Sequence, residues 1–200
     1  GLLESVASDV LRHDFDPSTL SYRGTLIEGA GTNLDTASED HTAASWATST
    51  GIGTISADAV AAPDGTTTAE TVPEDSSTGA HYQEKTYTGL TGSTTYCYSR
   101  FVKAAGRTKF LIRLASGAST GQAVFDTEAL TAAESSTGIL AGWGIEKHPG
   151  GWYRIWASMA VPSGSTGLQV RVFTVLDFVS NIYTGDGSSG HHAWGSQFEA

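Results

Sequence analysis

The residues of this chain best equipped for chemistry are few. They are planar cations and amides alternating with aromatic rings, and they cluster in its second half. In residues 152–161 the series Tyr153, Ile155, Ala157, Met159, Val161 is apolar, which leaves Trp152, Arg154, Trp156 and Ser158 on the other side of an extended segment. In 168–174 the apolar series Leu168, Val170, Val172 leaves Gln169, Arg171 and Phe173 opposite, and in 109–114 Phe110, Ile112 and Leu114 leave Lys109, Leu111 and Arg113. An indole beside guanidinium and amide groups suits a sugar ring, whose C–H face stacks on the indole while its hydroxyls exchange hydrogen bonds with the planar polar groups. Clustered arginines in an acidic chain would also favour a carboxylated or sulfated glycan. Trp156, Arg154, Arg171, Gln169 and Arg113 are therefore candidate ligand residues. Trp46, after a Ser/Thr/Ala-rich segment, and Trp143, between Gly142 and Gly144, are candidates from loops. Each has a structural alternative: Trp152 and Arg154 can close the end of a core and pair with a carboxylate, and loop tryptophans can plug the open end of a sandwich. Trp194 reads as core or subunit interface.

Catalytic groups are poorly assembled by comparison. His191 and His192 are adjacent, so in a strand they point to opposite faces and cannot share one ion. Asp126 with Glu128, and Asp177 with Glu146, are nominal carboxylate pairs without a supporting motif, although a glycosidase needs two such groups roughly 5 to 10 Å apart. Cys97, the one cysteine, has no evident histidine partner and reads as a buried structural thiol. No nucleophile elbow, zinc-protease helix or phosphate loop is present. The residues thus argue for a non-catalytic chain.

The elements that must position these groups are strands. Apolar–polar alternation recurs over 52–60, 81–88, 94–104, 109–115, 122–126, 139–146, 152–161, 168–176 and 192–199, separated by turn signals such as Pro63-Asp64-Gly65 and Pro162-Ser163-Gly164. That spacing predicts an all-β fold, an antiparallel β-sandwich or jelly roll. Charged residues make up only 16% of the 200 and glycine occurs 24 times, which suits short strands and tight turns rather than helices. Helical spacing is confined to 2–11 and 126–134. With 21 acidic against 11 basic residues the net charge is -10, which repels phosphate backbones and anionic lipid; nucleic acid is not an expected partner. No stretch approaches the roughly 18 consecutive apolar residues of a bilayer span, so no membrane insertion is expected. Patterned strands start only after Trp46.

Residues 12–34 carry a resemblance. Arg12, Asp14, Asp16 and Pro17, then Arg23, Gly24, Leu26, Ile27, Glu28, Thr32, Asn33 and Leu34, match a lead-in recurrent in bacteriophage tail and other virion structural proteins, where it precedes a jelly roll like those of carbohydrate-binding modules. "APDGTTTAETV" at 62–72, "YCYSRFVKA" at 96–104, "GGWYRI" at 150–155 and "WGSQFE" at 194–199 continue it in order. Two positions depart from the pattern: Arg100 stands where a small apolar residue is usual, which questions the packing of that strand, and Phe198 replaces a leucine.

The resemblance implies a connector over 1–33 and a β-sandwich over 34–200, within a fragment of a larger protein of a surface-exposed virion appendage: a tail fibre, tail tip or head spike. It implies host attachment through glycan or host-surface polysaccharide, contacts with other virion proteins, and a possible homo-oligomer. The alternative is a structural assembly or spacer domain whose outward aromatics pack against sister subunits. Related jelly rolls hold a structural calcium. Glu28, Asn33 and Glu199 supply the oxygen ligands that ion needs, provided the first and last strands are neighbours, and the Asp64-Gly65-Thr66 turn is a second possibility.

Overall fold

A computed structural model describes the backbone of residues 12–15 and 22–26, and residues 32–42, 46, 49–136 and 138–200 in full. Arg12–Phe15 (β1) and Tyr22–Leu26 (β2) pair as a separate two-stranded ribbon. The remaining strands are Ser56–Val60 (β3), Ala69–Pro73 (β4), Thr78–Thr88 (β5), Thr95–Ala105 (β6), Lys109–Ser116 (β7) and Ser119–Asp126 (β8). Thr131–Glu134 (β9), Leu140–Lys147 (β10), Trp152–Ala160 (β11), Gly167–Val175 (β12), Ile182–Thr184 (β13) and Gly190–Glu199 (β14) complete them. They form two antiparallel six-stranded sheets, ordered β10-β11-β6-β14-β4-β3 (sheet I) and β13-β5-β12-β7-β8-β9 (sheet II). The chain crosses between sheets at β4–β5, β5–β6, β6–β7, β9–β10, β11–β12 and β13–β14, so the molecule is the β-sandwich its alternation predicts.

The inward series agree with that alternation. Ile155, Ala157, Met159 and Val161 meet Phe110, Ile112, Leu114, Leu168, Val170 and Val172 in one buried cluster. Phe198 is completely buried there, stacked on Tyr87 with centroids 3.8 Å apart and on Tyr96 at 5.3 Å, so the larger side chain is used as a ring partner.

One helical expectation is corrected. Asp126 Oδ1 accepts the Glu128 and Ala129 N–H groups, which closes a turn, and Thr131–Glu134 then pairs with β8 as a strand. The other, 2–11, lies outside the described residues. Strands β4, β9 and β13 are too short and too mixed in polarity to show an alternation.

The interior is unusually polar at one end. Arg100 is fully buried on the inner side of β6, where its Nη2 donates to Gln83 Oε1 at 2.6 Å and its guanidinium lies 5.4 Å from the Trp46 ring. Lys85 Nζ meets Asp35 Oδ1 at 2.5 Å, and Tyr87 donates to Asp35 Oδ2 at 2.9 Å. His41 Nδ1 lies 2.6 Å from Glu70 Oε2, and its Nε2 lies 2.8 Å from Ser196 Oγ. Burial pushes the Glu70 carboxyl up to about 7 and holds the His41 imidazole well below its usual value. The strand thus accommodates Arg100 in a polar annex, where the Gln83 amide and the Trp46 ring are its neighbours.

Residues 33–38 are clasped to the last strand. Leu34 N–H donates to Phe198 C=O at 2.7 Å, and Asn33 Oδ1 accepts the Phe198 N–H at 2.9 Å. Asn33 Nδ2 and Ser38 Oγ both donate to Ser196 C=O, and Ser196 N–H donates to Ser38 C=O. Residues 33–38 therefore dock beside β14, at the end where β4 no longer pairs with it.

Candidate functional site

The outer face of sheet I is built from strand register. Gly144, Trp156, Ser99 and Gln197 lie opposite one another across β10, β11, β6 and β14. Their side chains therefore form one row. The Trp156 ring leans over β10: a Cβ at Gly144 would stand 2.6 Å from Trp156 Nε1, and one at Gly142 would stand 3.2 Å from Cζ3. Only glycine leaves room for that pose. The indole is half-buried, and its N–H has no acceptor among the described residues.

Arg154 stands beside it in the next row. Its Nε and Nη2 donate to Ser99 Oγ at 3.3 and 3.1 Å, Nη2 reaches Gln197 Oε1 at 3.4 Å, and Nη1 lies 3.9 Å from Glu146 Oε2. The guanidinium is held flat by these contacts and remains partly exposed. Cys97 lies in the following row and is only half-buried; burial still pushes its thiol up, away from the reactive thiolate.

The neighbouring tryptophans on the same face are roofed. Trp152 and Trp194 pack with Phe101 beneath Ala62 and Ala69, Trp152 Nε1 donates to Ala61 C=O at 3.2 Å, and Trp194 Nε1 donates to Thr68 Oγ1 at 3.0 Å. Trp156 is the indole on this face that nothing covers among the described residues.

The other candidates lie elsewhere. Arg171 and Arg113 face each other in register on the outer side of sheet II, between Glu84 and Gln122, in the row Glu84–Arg171–Arg113–Gln122. Arg171 Nε meets Glu84 Oε2 at 2.5 Å, and Gln169 donates to Glu84 Oε1 at 2.9 Å. The next row is Tyr82–Phe173–Leu111–Val124. Arg171 lies 4.8 Å over Tyr82, Arg113 lies 5.0 Å over Phe173, and the two rings are 4.8 Å apart.

The two tryptophans expected in loops turn inward, and Trp143 does so from within strand β10. Trp46 is 1% exposed and closes the polar end of the sandwich against His41, Tyr98, Lys85 and Arg100. Trp143 lies opposite Ala157 in β10 and packs with Ile145 and Tyr153 on the core side. The seven ligand candidates thus occupy three places: Trp156 and Arg154 on one outer face, Arg171, Gln169 and Arg113 on the opposite one, and Trp46 and Trp143 on the inner side.

Two of the three oxygen ligands suggested for calcium lie among the described residues. Asn33 Oδ1 is taken by the N–H groups of Asp35 and Phe198, and Glu199 follows Phe198 in β14 and so faces away from the core. Glu28 lies outside the described residues. Asp64 closes its own turn by accepting the Thr66 N–H and Oγ1–H. No group of three metal-ligating side chains occurs among the described residues. The nominal carboxylate pair Asp177 and Glu146 is split between sheet II's last loop and sheet I.

Sequence reasoning missed Ser99, Gln197 and the bed formed by Gly142 and Gly144. The signal was the small–large–small pattern Gly142-Trp143-Gly144, but its meaning depends on which strand lies alongside.

No protein-family model matches this chain, and no curated protein matches it. Among solved structures it is similar to the CBM22-1–GH10 modules of endo-1,4-beta-D-xylanase 10B from Clostridium thermocellum, complexed with xylohexaose, with a TM-score of 0.37 and 17% identity. That match covers 86% of this chain, which spans only 28% of the xylanase chain. It is also similar to a sugar-binding protein of Bacteroides thetaiotaomicron, with a TM-score of 0.39 and 9% identity over 96% of this chain and 95% of that one.

Proposed function

We propose that the chain is a non-catalytic glycan-binding module that receives a saccharide on the outer face of sheet I. The observation that carries this reading is the Trp156 indole, seated over Gly142 and Gly144 with Arg154 and Gln197 alongside. An indole with one open face accepts the C–H side of a pyranose, and the adjacent guanidinium, hydroxyl and amide groups meet the ring hydroxyls. The surface is shallow, so a single site binds weakly and gains strength from repeated display. The resemblance of residues 12–34 to virion lead-ins supports such display on a phage appendage, with host-surface polysaccharide as the ligand.

Affinity electrophoresis through neutral and acidic polysaccharides tests this. The wild-type chain is expected to be retarded by at least one of them, and Trp156→Ala to migrate freely. Unretarded wild type across a broad glycan panel would overturn the reading.

A structural assembly role has one observation in its favour. The segment after β12 exposes Leu176, Phe178, Val179 and Ile182 together, with Val179 95% exposed. Light scattering decides it: self-association lost in Val179→Asp supports assembly, and a monomer at high concentration removes it.

A further inference from the structure

A cavity lies on the opposite face, outside sheet II. It has a volume of about 270 Å³, floored by Leu111, Val124 and Val175 of sheet II and walled by residues 177–181 of the β12–β13 loop. Arg113 projects into it from β7. The guanidinium is asymmetrically used: Nε and Nη2 both donate to Gln122 Oε1, at 3.3 and 3.1 Å. Its other edge, both Nη1 hydrogens and the second of Nη2, has no acceptor among the described residues.

The charge on Arg113 is also unmatched. Arg171 has Glu84, Arg107 has Glu74 and Asp186, Lys109 has Asp126 and Lys85 has Asp35. Arg113 has no carboxylate partner among the described residues, in a chain with a surplus of ten negative charges. The nearest wall carboxylate, Asp177, is turned into its own loop by the Val179 and Ser180 N–H groups, which it accepts at 2.9 and 3.1 Å. Burial, with Arg171 next to it, pulls the Arg113 guanidinium down from its usual value, so an arriving anion relieves an existing electrostatic cost.

We infer that this cavity is a second binding site, and that its ligand is a carboxylated sugar unit. The free edge of Arg113 takes the planar carboxylate in a two-point hydrogen-bonded pair. The apolar floor and the Phe178 and Val179 rim take the C–H face of the ring, and the Asn181 amide supplies groups for its hydroxyls. The volume suits one saccharide residue rather than a chain. This site shares no residue with the Trp156 platform and does not depend on it.

The test is a titration of the 15N-labelled chain with sodium glucuronate, with glucose and sodium acetate as controls, in wild type and in Trp156→Ala. Glucuronate is expected to move the amides of 111–114, 122–124 and 177–181 in both proteins at millimolar concentration, and the two controls to bind at least ten-fold more weakly. Arg113→Gln is expected to weaken glucuronate at least ten-fold. Val179→Asp, at a fully exposed position that folding does not depend on, is expected to do the same by repelling the carboxylate at the rim. Equal response to glucose, or to acetate, would overturn the ligand class. Unchanged glucuronate binding in both variants, or shifts confined to sheet I, would overturn the site.

Discussion

The outer faces of the two sheets carry similar residues and use them differently. On sheet II the aromatic rings of Tyr82 and Phe173 are capped by Arg171 and Arg113, and Phe173 is only 1% exposed although it points away from the core. On sheet I Trp156 is laid over two glycines, and its guanidinium neighbour, Arg154, is bonded to Ser99 and Gln197 beside it rather than to the ring. A ring capped by the protein's own cation has its π-face and its C–H contacts already satisfied. A ring supported from below by glycine keeps one face for a partner. What separates a capped aromatic from an open one here is the neighbour across the strand, and not the residue type.

Substitutions can break this contrast in order of size. Phe173→Ala should cost about 3–5 kcal/mol of stability by urea denaturation, because it empties a buried site, while polysaccharide retardation through sheet I stays unchanged. Trp156→Ala should reverse the pattern, losing at least ten-fold in glycan affinity, about 1.4 kcal/mol or more by calorimetry, with a smaller effect on unfolding. Gly144→Ala is a finer probe: its Cβ must displace the indole, so affinity should fall several-fold while Trp156 remains in the sequence. Retained affinity in Gly144→Ala would show that the pose over β10 is not the one that binds.

The smallest expected effect concerns the join between the sheets. Glu74 at the end of β4 is bonded by Arg107, by Tyr183 of β13 and by the Asp186 N–H. Burial alone would raise its carboxyl, but these donors together hold it below the ordinary glutamate value. A depressed carboxylate stabilises the fold above the unfolded value of 4.5, and that contribution is lost as pH falls through its folded value. Melting temperature should therefore decline between pH 5 and pH 3 in the wild type, and less steeply in Glu74→Gln. An equal decline in both would remove Glu74 as a source of acid sensitivity, leaving the two faces to be compared without it.

Much of the architecture could be read from periodicity, since β7, β11 and β12 each run over eight or more residues and bury the series expected of them. The face on which each candidate sits within its own strand was equally legible. Which strands lie side by side was not. Arg154 and Arg171 both point outward from strands close in sequence, yet the chain changes sheets between β11 and β12 and places them on opposite sides of the molecule. Trp143 looked like a loop residue between two glycines that let a partner approach, whereas those glycines make room for Trp156 in the adjacent strand. Arg100 looked like a packing fault because its partners, Gln83 and Trp46, come from other segments, 17 residues away in the case of Gln83.

The clasp between Asn33, Ser38 and the end of β14 gives the module a mechanical character. Tension applied through residues 32 and 200 would meet five short polar links at one corner before it reached either sheet. Because the two segments run antiparallel, those links would be loaded one after another, like a zip. The sandwich behind them would bear the load only after the clasp had opened, since both pulled ends leave from the same corner.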